Sequence, residues 1–336
     1  MTSNEEQTAT VTVAPSAVTA KPEGGERARV GASLLAIAAD IKIAHSVFAL
    51  PFAVFGAFLA GPASMENPEG KAWWVFAGQV GLVVGCMVLA RTWAMLINRL
   101  VDRKIDAEHE RTKGRAFASG RASTLLGWSL AAACAAGFVG LTWFFHRLYA
   151  NPWPLYLALP VLALLAFYSW TKRFTWLCHA VLGLALAISP IAAALAVRPA
   201  ALLGTPTLWW TSAFVLLWVA GFDIIYALQD EAFDRTKGLR SIPAKLGAAG
   251  AVWAARMAHG MALVALLAAW TSHAALGVLF GAGMALAAGL LAVEHTLLAR
   301  SARGANATPR LHMMFFTLNG VVSLALGVAG CVDLVM

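Results

Sequence analysis

Nine long apolar stretches separated by short polar breaks decide what this chain can fold into. They lie near residues 35–61, 73–98, 123–145, 153–170, 175–197, 207–228, 249–270, 274–298 and 311–335. Each approaches or exceeds the roughly 20 residues that a helix needs to cross a bilayer core. Their runs of Ala, Gly, Val and Leu lack the two-residue alternation of barrel strands, and only helices and closed barrels can span a membrane. Composition agrees: 60% of the 336 residues are hydrophobic and 12% charged, against about 45–50% and 25% in soluble domains. A soluble fold of this size has too little interior for that much apolar surface. A soluble enzyme, a nucleic-acid-binding domain and a disordered chain are all excluded. The expected class is an all-α integral membrane bundle of nine transmembrane helices spanning residues 31–336.

Residues 1–30 are rich in Thr, Ala, Glu, Pro and Gly and lack apolar periodicity, which predicts a disordered tail. They lack the basic start and apolar stretch of a signal peptide. The second, fourth, sixth and eighth connections carry sixteen Lys and Arg, the others only Lys71, Arg147 and Arg198. Basic loops stay on the cytoplasmic side, so the tail and the even connections are expected in the cytoplasm and the C-terminus on the opposite side. Cys86, Cys134, Cys178 and Cys331 are scattered singly and read as packing residues without metal-ligand spacing.

The acidic residues are few and clustered. Eight of seventeen fall in two windows: Asp102, Asp106, Glu108 and Glu110, then Asp223, Asp230, Glu231 and Asp234. Both windows sit where a long apolar helix meets the cytoplasmic side. Asn98, Asp102 and Asp106 follow i, i+4 steps, which place three oxygen-bearing side chains on one helix face. Asp223, Asp230 and Asp234 repeat this at offsets of seven and four. Both windows share Asp-x-x-x-Asp followed by Arg-Thr-Lys-Gly, from Asp102 and from Asp230, a pattern that suggests duplication.

Carboxylates stacked on one face repel one another and need cations. Oxygen-only ligands favour a hard ion such as Mg²⁺, which binds one or two carboxylates and completes its shell with water and phosphate oxygens. Two such faces suit a diphosphate leaving group clamped by metal, with nearby Arg and Lys neutralising the rest. Tyr168, Lys172 and Arg173 share the same membrane side. Asp40, Lys42 and His45 interrupt the first apolar stretch and are candidates for substrate contact at a cavity mouth. Glu294, His295 and Asn319 are read as helix-packing hydrogen-bonders. A secondary transporter with ion-coupled carboxylates is the alternative from another class. It fits poorly, since both clusters lie at helix ends on one side.

These motifs resemble those of the UbiA superfamily of membrane prenyltransferases. The first is similar to that family's N-x-x-x-D-x-x-x-D signature, followed by Arg111-Thr112 and Arg115-Ala116-Phe117-Ala118-Ser119-Gly120, with Ala116 where the family usually has Pro. The second resembles D-x-x-Y-A-x-x-D-x-x-x-D at Asp223, Tyr226, Ala227, Asp230 and Asp234. The resemblance implies a nine-helix bundle with a central cavity open to the cytoplasm and laterally to lipid, and a polyprenyl diphosphate donor. It also implies Mg²⁺ held by Asn98, Asp102 and Asp106 and by Asp230 and Asp234. Lys172 and Arg173, at the family's Y-x-x-x-K-R position, with Arg111 and Arg115, would touch the diphosphate. Asp223, Tyr226, Tyr168, Lys42 and His45 would contact substrate.

The stretches His45–Ala53, Tyr226–Asp230 and Ser241–Gly247 look like the 4-hydroxybenzoate polyprenyltransferase branch, in particular its members linked to futalosine-route menaquinone synthesis. That implies transfer to an aromatic acceptor in menaquinone or ubiquinone synthesis. Acceptors of the haem O synthase, homogentisate and chlorophyll types are the alternatives. Asp230 is the candidate to orient or deprotonate the phenol.

Overall fold

The computed structural model describes residues 26–41, 48–61, 71–301 and 314–336. Its helices are α1 (Glu26–Ile41), α2 (Leu50–Ala60), α3 (Lys71–Val101), α4 (Arg103–Glu108), α5 (Thr124–Tyr149) and α6 (Trp153–Thr171). They continue as α7 (Cys178–Val197), α8 (Ala201–Gly204), α9 (Pro206–Ala227), α10 (Glu231–Thr236), α11 (Ile242–Thr271), α12 (Val278–Ser301) and α13 (Asn319–Asp333).

Eight helices among the described residues are long and apolar enough to cross a membrane. The first expected span, 35–61, is represented by α1 and α2, of 16 and 11 residues. Pro51 in the first turn of α2 favours a fresh helix start there. Residues 42–47, with Lys42 and His45, lie outside the described residues, as does most of the expected tail. Residues 26–30, expected as tail, belong to α1.

α9 lies at the centre of the bundle. Trp218 and Phe214 on it are fully buried and stack in parallel at 5.7 Å, and Phe52 of α2 meets Trp218 edge-on at 5.8 Å. α7 approaches α9 backbone to backbone, since a Cβ on Gly183 would collide with the Leu216 carbonyl oxygen. Small residues permit this contact, and van der Waals packing holds helices together where lipid offers no hydrophobic drive. Behind α9, Trp218 Nε1 donates to Asn319 Oδ1 at 2.7 Å, and Asn319 Nδ2 donates to Glu294 Oε1 at 3.4 Å. His259 and His295 share a 3.0 Å ring-nitrogen contact. Glu294, His295 and Asn319 thus tie α9, α11, α12 and α13 together.

Exposed Trp73, Trp74, Trp143, Trp153, Trp209 and Trp210 gather at one end of the bundle, the end away from the acidic motifs. Trp at this level is characteristic of a membrane–water interface. At the other end α3 and α9 carry the motifs past their last full turns.

Candidate active site

Both motifs begin on a spanning helix and bend where an Asp sits. α3 stops at Val101, Asp102 takes φ −90°, ψ 1°, and α4 follows. α9 stops at Ala227, a short 3₁₀ turn covers Leu228–Asp230, Asp230 takes φ −102°, ψ 0°, and α10 follows. The i to i+4 ladder survives the first bend, because Asp102 N donates to Asn98 O at 3.0 Å and Asp106 N to Asp102 O at 2.8 Å. Asn98 Nδ2 accordingly donates to Asp102 Oδ2 at 3.0 Å.

Each motif carboxylate has a partner from elsewhere in the chain. Arg173 Nη2 lies 2.8 Å from Asp102 Oδ1, and Arg115 Nη1 lies 2.7 Å from Asp106 Oδ1. Arg111 Nη2 reaches Asp230 Oδ1 at 3.0 Å and Oδ2 at 2.8 Å, and its Nη1 donates to the Tyr226 hydroxyl at 3.1 Å. Lys172 Nζ lies 2.8 Å from Asp234 Oδ2, which also accepts from Ser241 Oγ at 2.8 Å. His179 Nδ1 lies 2.7 Å from Asp223 Oδ2. His109 Nε2 stands 3.2 Å from Asp230 Oδ1 without a hydrogen-bonding angle, and its ring packs on Phe233. Lys237 and Glu108 make a second ion pair between the motif loops.

Burial acts to lower the Lys172 pKa, but the charge of Asp234, its hydrogen bond and Asp230 outweigh it, so the value is raised and the ammonium persists. Arg111 behaves alike: burial opposes its charge, and Asp230 and Tyr226 restore it with a net upward shift. Asp40 of α1 accepts from the Ala116 backbone N–H, pinning the loop after Arg115.

A cavity of about 690 Å³ runs from this charged mouth into the bundle. Asn98, Asp102, Asp106, Arg111, Arg115, Tyr168, Lys172, Arg173, Asp223, Tyr226, Asp230 and Asp234 all line it. Its deeper walls are apolar, with Met87, Phe138, Phe145, Leu157, Val161 and Leu186. Carboxylates and cations thus ring one end of a slot shaped for a hydrocarbon chain.

A family model described as the UbiA prenyltransferase family matches residues 49–319. The chain belongs to the UbiA prenyltransferase family. It is therefore a membrane prenyltransferase. It is 33% identical over 208 residues, 62% of this chain and 67% of the relative, to the 4-hydroxybenzoate octaprenyltransferase of Stutzerimonas stutzeri. The Pseudomonas savastanoi enzyme of the same name is 33% identical over 235 residues, 69% of this chain and 73% of its own. A solved UbiA homologue from Aeropyrum pernix superposes with a TM-score of 0.73 at 30% identity, over 87% of this chain and 98% of that one. An Archaeoglobus fulgidus UbiA homologue bound to DMAPP and Mg²⁺ shares the fold, with a TM-score of 0.62 at 17% identity, over 88% of this chain and 99% of that one.

Four further cavity residues escaped the sequence motifs: Arg91, Arg99, His109 and His179. Arg91 had a readable signal, a charge in mid-span, where ionisable residues are expensive and functional by default. It lies seven residues before Asn98 on the same helix face, about 10 Å deeper along α3. Neither Arg91 nor Arg99 forms an ion pair among the described residues, and each has a buried Nε without a partner. His179 carried no signal, because its meaning comes from a contact across 44 residues.

Among the described residues no three Asp, Glu, His or Cys side chains converge as a protein-only metal cage. Mg²⁺ does not require one, since one or two carboxylates with water and phosphate oxygens suffice. The two all-oxygen donor sets, Asn98 with Asp102 and Asp106, and Asp230 with Asp234, fit that chemistry.

Proposed function

We propose that this UbiA-family enzyme transfers a polyprenyl group from an isoprenyl diphosphate to a ring carbon of a 4-hydroxybenzoate-like phenolic acid. The product belongs to respiratory quinone synthesis, of menaquinone or ubiquinone. The observation that carries this reading is the polarity of the cavity: a ring of carboxylates and cations at the mouth, apolar walls below, and Arg91 and Arg99, which form no ion pair among the described residues, lining it too. The 4-hydroxybenzoate octaprenyltransferase relatives support the acceptor class, and the fold neighbour bound to DMAPP and Mg²⁺ supports the donor.

Mg²⁺ would be held by Asn98, Asp102 and Asp106 and by Asp230 and Asp234; when bound it neutralises the diphosphate and stabilises it as a leaving group. Arg111, Arg115, Lys172 and Arg173 bind the phosphate oxygens by turning from carboxylates at the same mouth. Met87, Phe138 and Leu157 take the isoprenoid tail and exclude water from the allylic carbon as its C–O bond breaks. Arg91 and Arg99 bind the acceptor carboxylate, because neither guanidinium forms an ion pair among the described residues and each keeps a buried Nε without a partner. Asp230 would be occupied in holding Mg²⁺, whereas Asp223 stands outside both donor sets and its Oδ1 has no hydrogen-bond partner among the described residues, so Asp223 takes the phenolic proton. The sixteen-to-three bias of basic residues supports a mouth on the cytoplasmic side, with the C-terminus opposite.

The test is prenyl transfer by purified protein with a panel of phenolic acids and labelled prenyl diphosphates, products identified by mass spectrometry. Transfer to a non-aromatic acceptor alone would sink the acceptor assignment.

A further inference from the structure

Four of the five motif carboxylates are held by Arg or Lys, and the fifth, Asp223, is held by an imidazole. His179 is only 2% exposed, so no solvent competes for its ring. The Ile242 backbone N–H donates to His179 Nε2 at 3.3 Å. That N–H belongs to the first turn of α11, whose donors have no partner within the helix. A ring nitrogen that accepts carries no proton, so the neutral ring bears its hydrogen on Nδ1 and donates it to Asp223 Oδ2 at 2.7 Å. Asp223 Oδ1 has no hydrogen-bond partner among the described residues, and Asp223 lines the cavity. The imidazole therefore fixes one carboxylate oxygen and leaves the other presented to whatever occupies the cavity.

We propose that His179 is a positioning residue for prenyl transfer: it holds Asp223 so that the free oxygen meets the hydroxyl of the phenolic acceptor. The inference rests on the acceptor being a phenol, as proposed above. The hydroxyl proton moves to Asp223 Oδ1 as the ring carbon bonds the allylic carbon, and the C–O bonding pair leaves with the diphosphate. The ring is then a dienone. Its ring C–H proton leaves to the diphosphate and the Asp223 proton returns to the oxygen, which restores the phenol and the carboxylate. His179 neither gains nor loses a proton. Its contribution is orientation of the base, which general base catalysis requires before any match of proton affinity.

The experiment uses the full chain in nanodiscs with a labelled prenyl diphosphate and 4-hydroxybenzoate. His179→Phe keeps a ring and removes the donor, and kcat should fall by about 30-fold or more, somewhat less than the roughly 10²–10⁴-fold that general base catalysis supplies, because the base itself remains. KM for the diphosphate should stay within about twofold, because the donor contacts other residues. His179→Asn places an amide N–H near the former Nδ1 and should recover to within about fivefold of wild type. A ring-fluorinated acceptor, whose hydroxyl is more acidic, should narrow the gap between wild type and His179→Phe. Added to Asp223→Asn, the His179 substitution should cost nothing more.

Unchanged kcat in His179→Phe, equal damage from Asn and Phe, or multiplying losses with Asp223→Asn would each overturn the proposal. If His179→Phe does not fold, His179→Asn alone and combined with Asp223→Asn decides by the same criteria. A wild type that prenylates no phenolic acid overturns the acceptor reading and this proposal together. An active wild type with an indifferent His179 overturns only this one.

Discussion

Arg111, in the loop after the first acidic motif, grips both carboxylate oxygens of Asp230 in the second, at 3.0 and 2.8 Å across 119 residues of sequence. One guanidinium thus couples the two halves of the cavity mouth. Lys237 and Glu108 repeat the link in the opposite sense, with a cation of the second motif loop on an anion of the first. The two bends at Asp102 and Asp230 share a backbone conformation, so the sequence repeat is also a repeat of local structure.

The cavity-lining motif carboxylates and the exposed ones should respond differently to loss of charge. Asp102→Asn or Asp230→Asn should lower kcat by about 100-fold or more, some 2.7 kcal/mol of transition-state stabilisation. Glu108→Gln and Glu110→Gln should cost less than about threefold, because their partners Lys237 and Lys113 form solvent-exposed pairs. Steady-state kinetics on folded, purified variants makes the comparison. Equal activity of Asp102→Asn and Glu108→Gln would remove the case for a metal–diphosphate site at these residues.

Chelation provides a second check. EDTA should abolish turnover and excess Mg²⁺ should restore it, since both donor sets are oxygen-only. Full activity in metal-free buffer would contradict the role given to these carboxylates.

Arg91 should govern the acceptor and leave the donor alone. Arg91→Met keeps the length of the side chain but removes its charge, and KM for a phenolic acid should rise about tenfold to a hundredfold, as for loss of a hydrogen bond to a charged group. KM for the prenyl diphosphate should hold. An acceptor without a carboxylate should not distinguish the variant from wild type; if it does, Arg91 acts on something other than that group.

Topology is tested by single thiols in a variant without Cys86, Cys134, Cys178 and Cys331. Glu108→Cys and Thr236→Cys should resist an impermeant reagent in intact cells and react in inverted vesicles. Labelling of either in intact cells would reverse the orientation drawn from the basic loops.

Gly183→Ala should lower thermal stability by about 1–3 kcal/mol, the usual cost of forcing extra volume into a packed contact. The added Cβ would press on the Leu216 carbonyl oxygen, which belongs to the α9 backbone and cannot swing away. A thermal-unfolding midpoint equal to wild type would show that α7 and α9 can separate at little cost.

What the sequence determined by itself is whatever depends on neighbours along the chain. Apolar length marked the helices, and i, i+4 spacing brought Asn98 against Asp102. The paired motifs, with their resemblance to a known family, named the reaction class. The same local logic left the first span open, because an apolar count does not register the helix restart at Pro51. Tertiary structure alone decided which cation meets which carboxylate. Lys172 and Arg173 are adjacent in sequence yet serve Asp234 and Asp102, which come from different helices. It also decided that Arg91 has no acidic partner among the described residues, and that His179 stands behind Asp223. Spacing could not reveal these facts. A side chain's electrostatic partner is set by how helices pack, and packing brings together residues that the chain keeps tens of positions apart.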